Sequence, residues 1–203
     1  MEFKTTDRDV FFRLRILDKY MEGHKGYIAG GAFKNLFNKE KIRDVDVFFE
    51  NEDDFKQADK LFSENKEYQK HYTNDNCHAY KHVETKTVVE LVKTRFSKPE
   101  DLLRIFDFTI VKAAYFKQEN EDGGVNYKIM YVDRFFEDLH QKKLVVDGDW
   151  KNIPHPVNTF ERTYKYQRYG YNLCRESKIK IIEMLRNLQG EIDLSGALYF
   201  GID

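Results

Sequence analysis

Hydrophobic positions along the chain change period several times, and each change marks an element. Val10, Phe11, Leu14, Leu17 and Met21 recur at helical spacing. Thr6, a short side-chain acceptor followed by Asp7 and Asp9, reads as the start of that helix, and "EGHKG" as its end. "YIAGG", residues 27–31, reads as a short buried strand running into a tight turn, and "AFKNLF" as a short helix. In "VDVFF", Asp46 alternates with Val45 and Val47, the period of a strand. Asn51 or Asp53 is placed to cap a helix through "DFKQADKLFSEN". Three strand-like pieces follow, "YQKHYT", "CHAYKHVE" and "TVVELVKT", then a helix "PEDLLRIF" with Pro99 and Glu100 in its first turn. "DFTIVKAAYF" fits either period. "NEDGGVNYKIMYVD" reads as a hairpin turning at Gly123–Gly124. After Pro156 the pattern is helical to about Leu188, broken near Gly170. The expected fold is α/β (α+β): a head over residues 1–145 with a mixed β-sheet flanked by helices, then a helical neck and tail over 146–203.

Composition narrows the function classes. The 203 residues include 34 Lys and Arg against 35 Asp and Glu, a net charge of −1, so no global basic surplus marks a nucleic-acid binder. Cys77 and Cys174 lack the spacing of a structural zinc site. His78 and His82, four apart in a strand-like piece, lie too far apart to share one metal and read as exposed. The charged N-terminus has no apolar core of a signal peptide, and no apolar run reaches 18 residues. The expectation is a cytoplasmic protein in a reducing compartment, with no membrane partner.

The chemistry lies in three acids. Asp44 and Asp46, at i and i+2 on a strand, project from one face, where two carboxylates repel unless a cation joins them. Mg²⁺ suits such a pair, being held by one or two carboxylates together with substrate phosphates. Glu90, inside the apolar run "TVVELVKT", supplies a third acid. Taken alone, Asp-x-Asp also fits a strand edge facing solvent, and Gly30–Gly31 also fits an ordinary turn. Together they fit a site in which glycine backbone N–H groups approach a triphosphate and the acids hold Mg²⁺ or Mn²⁺.

The order apolar-Gly-Gly, helix, Asp-x-Asp on a strand resembles the nucleotidyltransferase superfamily of DNA polymerase β. More specifically, "GGAFKNLFNKEKIRDVDVFF" is similar to the first motif of class II CCA-adding enzymes and bacterial poly(A) polymerases. "VVELVKTRF" resembles that family's Glu-bearing strand, and "IFDFTIVKAAYF" its Asp-Phe-Thr motif through Asp107, Phe108, Thr109, Ala114 and Tyr115. "YVDRFFEDLHQKKL" and "HPVNTFERTYKYQRYGYNL" are similar to the next segment and to the neck helix, through Asp133, Asp138, Leu139, Pro156, Arg168, Gly170 and Tyr171. The resemblance runs from about residue 10 to 188 and implies the head and neck of such an enzyme without its body and tail.

It also implies roles. Asp44, Asp46 and Glu90 would be catalytic and metal-binding, with Glu90 helping to activate the attacking hydroxyl. Gly30, Gly31, Lys34 and Asp107 would contact nucleotide. The sequence departs from the family where nucleotide is selected. Lys34 and Asn35 replace Arg-Asp, Ile105 and Phe106 stand in place of an arginine pair, Val111 in place of asparagine, and Asn158, Glu161 and Tyr164 in place of neck arginines. Arginine's rigid fork has no substitute among these. On the neck, Arg162, Lys165 and Arg168 with Tyr164 and Tyr166 form a strip that either binds phosphates and stacks a base or is the ordinary surface of an amphipathic helix. Lys112 either reaches a phosphate or lies in solvent. Two functions follow. One is metal-dependent transfer of a nucleoside monophosphate (NMP) from an NTP to a tRNA-like RNA 3′ end or a protein hydroxyl. The other is a catalytically degenerate remnant that binds nucleotide, RNA or a protein partner as an antagonist or decoy.

Overall fold

The computed structural model describes residues 2–120, 122–147 and 150–188. They fall into two compact units, one of residues 3–103 with the described part of 113–131, the other of Glu2, residues 104–112 and the described residues from 132 on. The C-terminal tail, residues 190–203, lies outside the described residues.

The first unit is built on an eight-stranded sheet. In chain order its strands are β1 (Phe3–Asp7), β2 (Tyr27–Ala29), β3 (Asp44–Phe49), β4 (Tyr68–Thr73), β5 (Cys77–His82), β6 (Val88–Phe96), β7 (Ala113–Glu119) and β8 (Val125–Val132). They lie in the order β1-β8-β7-β2-β3-β6-β5-β4. The β3–β6 pair is parallel, whereas β2–β3, β2–β7, β4–β5, β5–β6 and β7–β8 are antiparallel, so the sheet is mixed as expected. Alternation sorts the faces: Val45, Val47 and Phe49 of β3 and Val89 and Leu91 of β6 are buried, which turns Asp44, Asp46 and Glu90 to the opposite face. The buried face is covered by α2 (Glu52–Glu64), whose Phe55, Ala58 and Phe62 point inward. Phe55 meets Phe49 edge-on at 5.6 Å between centroids, and Phe62 packs on Tyr80. Asn51 caps this helix, its side-chain oxygen accepting from Asp54 N at 2.9 Å. α1 (Ala32–Phe37) follows the glycine turn, α3 (Pro99–Ile105) follows β6, and the ambiguous "DFTIVKAAYF" resolves into a 3₁₀ turn at Thr109–Val111 and the strand β7.

Two expectations are corrected. The helix expected from Thr6 is absent there, because residues 3–7 pair with β8 as the sheet's edge strand, which uses the backbone groups a helix start would leave orphaned. Residues 8–10 and 12–20 are 3₁₀ rather than α-helical. Their buried residues Leu14, Leu17 and Tyr20 recur every third position, the period of that tighter helix. Nor are the two histidines exposed. His82 is buried, and His78 is half-buried with Nδ1 2.8 Å from Asp59 Oδ1, because both share the α2-facing side of β5 with Tyr80.

The second unit gathers α4 (Phe135–His140), α5 (Pro156–Arg168) and α6 (Arg175–Arg186) with a short parallel pair, β9 (Lys143–Leu144) and β10 (Asn172–Leu173). Its core includes Phe108, Leu139, Leu144, Val146, Tyr166 and Tyr171, with Tyr166 edge-on to both Phe108 and Tyr171. The boundary expected between residues 145 and 146 falls inside this unit. The Asp-Phe-Thr segment and α4 join the neck helices, tied by Thr109 Oγ1 donating to the buried Asp138 Oδ2 at 2.8 Å.

His24 makes the first unit sensitive to acid. Its Nδ1 accepts from Gly26 N at 3.0 Å, which leaves Nε2–H to donate to Tyr20 O at 3.0 Å, a neutral tautomer packed against Phe49 and Phe62. Gly26 is required beside it, since a Cβ there would sit 2.7 Å from both Phe49 and Val47 side-chain atoms. Burial is the largest influence on the imidazole and lowers its pKa to about 4. The unfolded chain therefore takes up this proton first as pH falls. Stability present above the ordinary histidine value near 6.5 is expected to fall by about 3 kcal/mol between pH 6.5 and 4. Urea unfolding across that window checks it, with His24→Gln expected to show a shallower pH dependence.

Candidate metal and nucleotide site

The register of β3 on β6 sets Asp46 directly opposite Glu90, with Asp44 two residues back on the same face opposite Val88. In the β2–β3 pair, Tyr27 lies opposite Phe48 and Ile28 opposite Val47. Continuing that register runs Gly30–Gly31 past the Asp46–Asp44 end of β3. Gly30 has φ +95° and donates its N–H to Ala113 O at 3.2 Å, a conformation that favours glycine. Gly31 has an ordinary φ of −67°, and a Cβ added there would meet nothing within 4 Å. Packing does not demand glycine at this position.

Asp44 is exposed and Asp46 half-buried. Glu90 is engaged on both oxygens: the Tyr72 hydroxyl donates to Oε1, and the Cys77 thiol lies 3.8 Å from Oε2. Burial first, then the carboxylates of Glu90 and Asp46, push the Cys77 thiol up to about 12, so it is a neutral neighbour of the two acids. Among the described residues no three carboxylate, histidine or cysteine side chains converge as a ready metal cage. The donor set still suits magnesium, whose shell needs only one or two carboxylates when phosphates and water complete it.

Lys34 is placed differently from a phosphate-facing lysine. It is buried at 4% exposure, with Nζ 2.7 Å from Glu40 Oε2. Glu40, just past α1, thereby supplies the charge that allows the ammonium into the interior.

In the second unit, Asp107 and Arg162 are brought together. Asp107 is 4% exposed; its Oδ1 accepts from Phe108 N at 2.8 Å and its Oδ2 lies 3.1 Å from Arg162 Nη1. Arg162 Nη2 also donates to Tyr166 Oη at 3.1 Å, with the guanidinium over the Tyr166 ring. Lys165 is half-buried and Arg168 exposed on the same helix. The neck strip divides: Tyr166 is core, whereas Tyr164 is half exposed. Lys112, expected at a phosphate or in solvent, is fully buried, and desolvation lowers its pKa to about 8 against the raising influence of Asp147 and Asp107.

The sequence missed Tyr72 and Cys77. Plain alternation from Lys70, which pairs with Tyr80, would put His71 on the acidic face and Tyr72 on the other. A register shift between Lys70 and Tyr72 sets Tyr72 opposite Ala79 instead, on the face of Glu90. No residue pattern announces that bulge.

Mixed sheet, glycine turn and paired acids define a nucleotidyltransferase fold. Solved structures agree: a CCA-adding enzyme complexed with CTP matches over 92% of this chain and 47% of its own, at TM-score 0.60 and 18% identity. A tRNA nucleotidyltransferase complexed with a primer tRNA and an ATP analogue matches over 86% and 50%, at TM-score 0.55 and 17% identity. A family model described as Gabija anti-defense 2 matches residues 3–142, and the chain belongs to that family. A relative named Gabija anti-defense 2, from Bacillus phage SPbetaL7, is 29% identical over 164 residues. These cover 80% of this chain but 38% of the relative, so the chain spans well under half of that protein's length. No helix among the described residues is long and apolar enough to cross a membrane.

Removing Arg162 would leave the Asp107 carboxylate buried without its cation. Arg162→Ala is expected to cost about 2 kcal/mol, below the usual penalty for a broken buried pair because the arginine is one-third exposed. Urea denaturation of the purified variant measures it. A nucleotide contact without structural weight would leave the midpoint unchanged.

Proposed function

We propose that this protein counters the Gabija defence by metal-dependent nucleotidyl transfer, moving an NMP from an NTP to an acceptor hydroxyl on a protein or a tRNA-like RNA. The observation that carries the reading is the placement of Asp46 opposite Glu90, with Asp44 on the same face and the Gly30–Gly31 turn alongside. Asp44 and Asp46 would hold Mg²⁺ or Mn²⁺, which would neutralise the phosphate oxygens of the NTP. Gly31 would offer its backbone to the triphosphate, and Glu90 would take the proton from the attacking hydroxyl. The protein's share of such catalysis is positioning and charge neutralisation. The head-and-neck relation to CCA-adding enzymes supports an NTP substrate. The family name supports a protein or RNA of the defence system as the target.

A second reading, antagonism by binding alone, is favoured by specific contacts. Lys34 is spent on Glu40, Arg162 on Asp107, and Glu90 on Tyr72 and Cys77.

Incubation with each α-labelled NTP, Mg²⁺ or Mn²⁺ and an extract of Gabija-bearing cells separates the two. Label is expected on one protein or RNA acceptor and is expected to drop at least about a hundredfold in Asp46→Ala. Full transfer by that folded variant overturns the site assignment. Absence of label, together with full protection of phage by Asp46→Ala in Gabija cells, establishes the binding reading.

A further inference from the structure

The Tyr72 hydroxyl donates to Glu90, the carboxylate that would act as base in the proposed transfer. Tyr72 (β4), Ala79 (β5), Glu90 (β6) and Asp46 (β3) form one row across four adjacent strands. Ala79 carries only a methyl, so the phenol crosses above it and reaches the carboxylate two strands away, donating to Glu90 Oε1. The bulge at His71 is what aims it: without the extra residue Tyr72 would point to the opposite face. Bulges that re-aim a side chain gather beside active sites. The ring is 38% exposed, so it is neither core packing nor out of a nucleotide's reach. A hydroxyl already donating to the group that would act as base meets the first geometric requirement of general-base catalysis.

We infer that Tyr72 is a nucleotidylation site of this protein itself, modified in cis by its own carboxylate centre. The inference rests on the proposed transferase reading. The Tyr72 oxygen attacks the α-phosphorus of the bound NTP, forming a phosphodiester, while the bond from that phosphorus to the bridging oxygen of the β-phosphate breaks. The phenolic proton passes to Glu90 and on to solvent, and pyrophosphate leaves. The product chain carries one NMP on Tyr72, which removes the hydroxyl from Glu90 and sets a bulky anion over Ala79. Modification would thereby close the acidic face to a further acceptor.

The test is intact-mass and peptide-mapping analysis of the purified full chain after incubation with each NTP and Mg²⁺ or Mn²⁺, run beside the acceptor assay on extract. The expected result is a mass gain of one NMP per chain on the Tyr72 peptide. Its rate per chain should not depend on protein concentration, because the reaction is intramolecular. Tyr72→Phe, which keeps the ring and is checked for folding by circular dichroism, is expected to lose the gain, as is Asp46→Ala. Labelling of an extract acceptor with Tyr72 unmodified overturns this inference and leaves the proposed function standing, as does mass gain on another residue. No transfer to any acceptor from folded protein overturns both.

Discussion

The parallel pairing of β3 with β6 is the constraint on which the rest of the first unit depends. A strand has a side-chain period of two, so one register decides every face at once. Setting Asp46 opposite Glu90 sends Val45, Val47, Phe49, Val89 and Leu91 to the α2 side, where they are buried. A slip of one residue between the strands would turn either Glu90 or the pair Asp44 and Asp46 under Phe55 and Phe62, at the cost of burying charge. The apolar core and the acidic face are thus one decision. Selection for a stable α2 interface automatically preserves the geometry of the acids.

Charge placement distinguishes this chain from a purely structural protein. Cations expected at a nucleotide are drawn into internal pairs, Lys34 with Glu40 and Arg162 with Asp107. Each pair lets a polar group enter the interior, which explains why the motifs survive in outline after their selecting arginines are gone. Asp44 and Asp46 lie two residues apart on one face of β3. Two carboxylates about 7 Å apart along one strand face repel each other and add nothing to packing. In the proposed transfer, a bound Mg²⁺ or Mn²⁺ would relieve that repulsion.

The sequence made the sheet's central strands, α2, β8 and the turn at Gly123–Gly124 legible, because each has a clear period or a cap or turn residue, whereas the segment holding β7 fitted either period. Asp44, Asp46 and Glu90 were legible because acids inside apolar alternation stand out. Illegible features were those set by tertiary pairing. β1 forms because β8 offers an open edge, and Leu14, Leu17 and Tyr20 follow a 3₁₀ spacing that resembles an α-helix over one turn. The bulge at His71 has no signature, so Tyr72 could not be placed on the acidic face. Lys34 and Arg162 read as ligand contacts because a sequence does not show which acid reaches them first.

The relation between transfer chemistry and antagonism then becomes a question of what the acidic face excludes. CCA-adding enzymes matched here are about twice as long as this chain, and the phage relative is longer still in proportion. What the chain shares with the CCA-adding enzymes is the fold, and with the phage relative 29% of residues over 164 positions. A segment serving only as a binding platform needs shape, and shape is indifferent to whether position 46 is Asp or Asn. An acceptor-activating centre is not indifferent, because Asn cannot neutralise a cation. Asp44, Asp46 and Glu90 share one face of the sheet. In the proposed transfer that face would carry the metal-dependent step, and the positions where the sequence departs from the family it resembles would set the choice of nucleotide or acceptor.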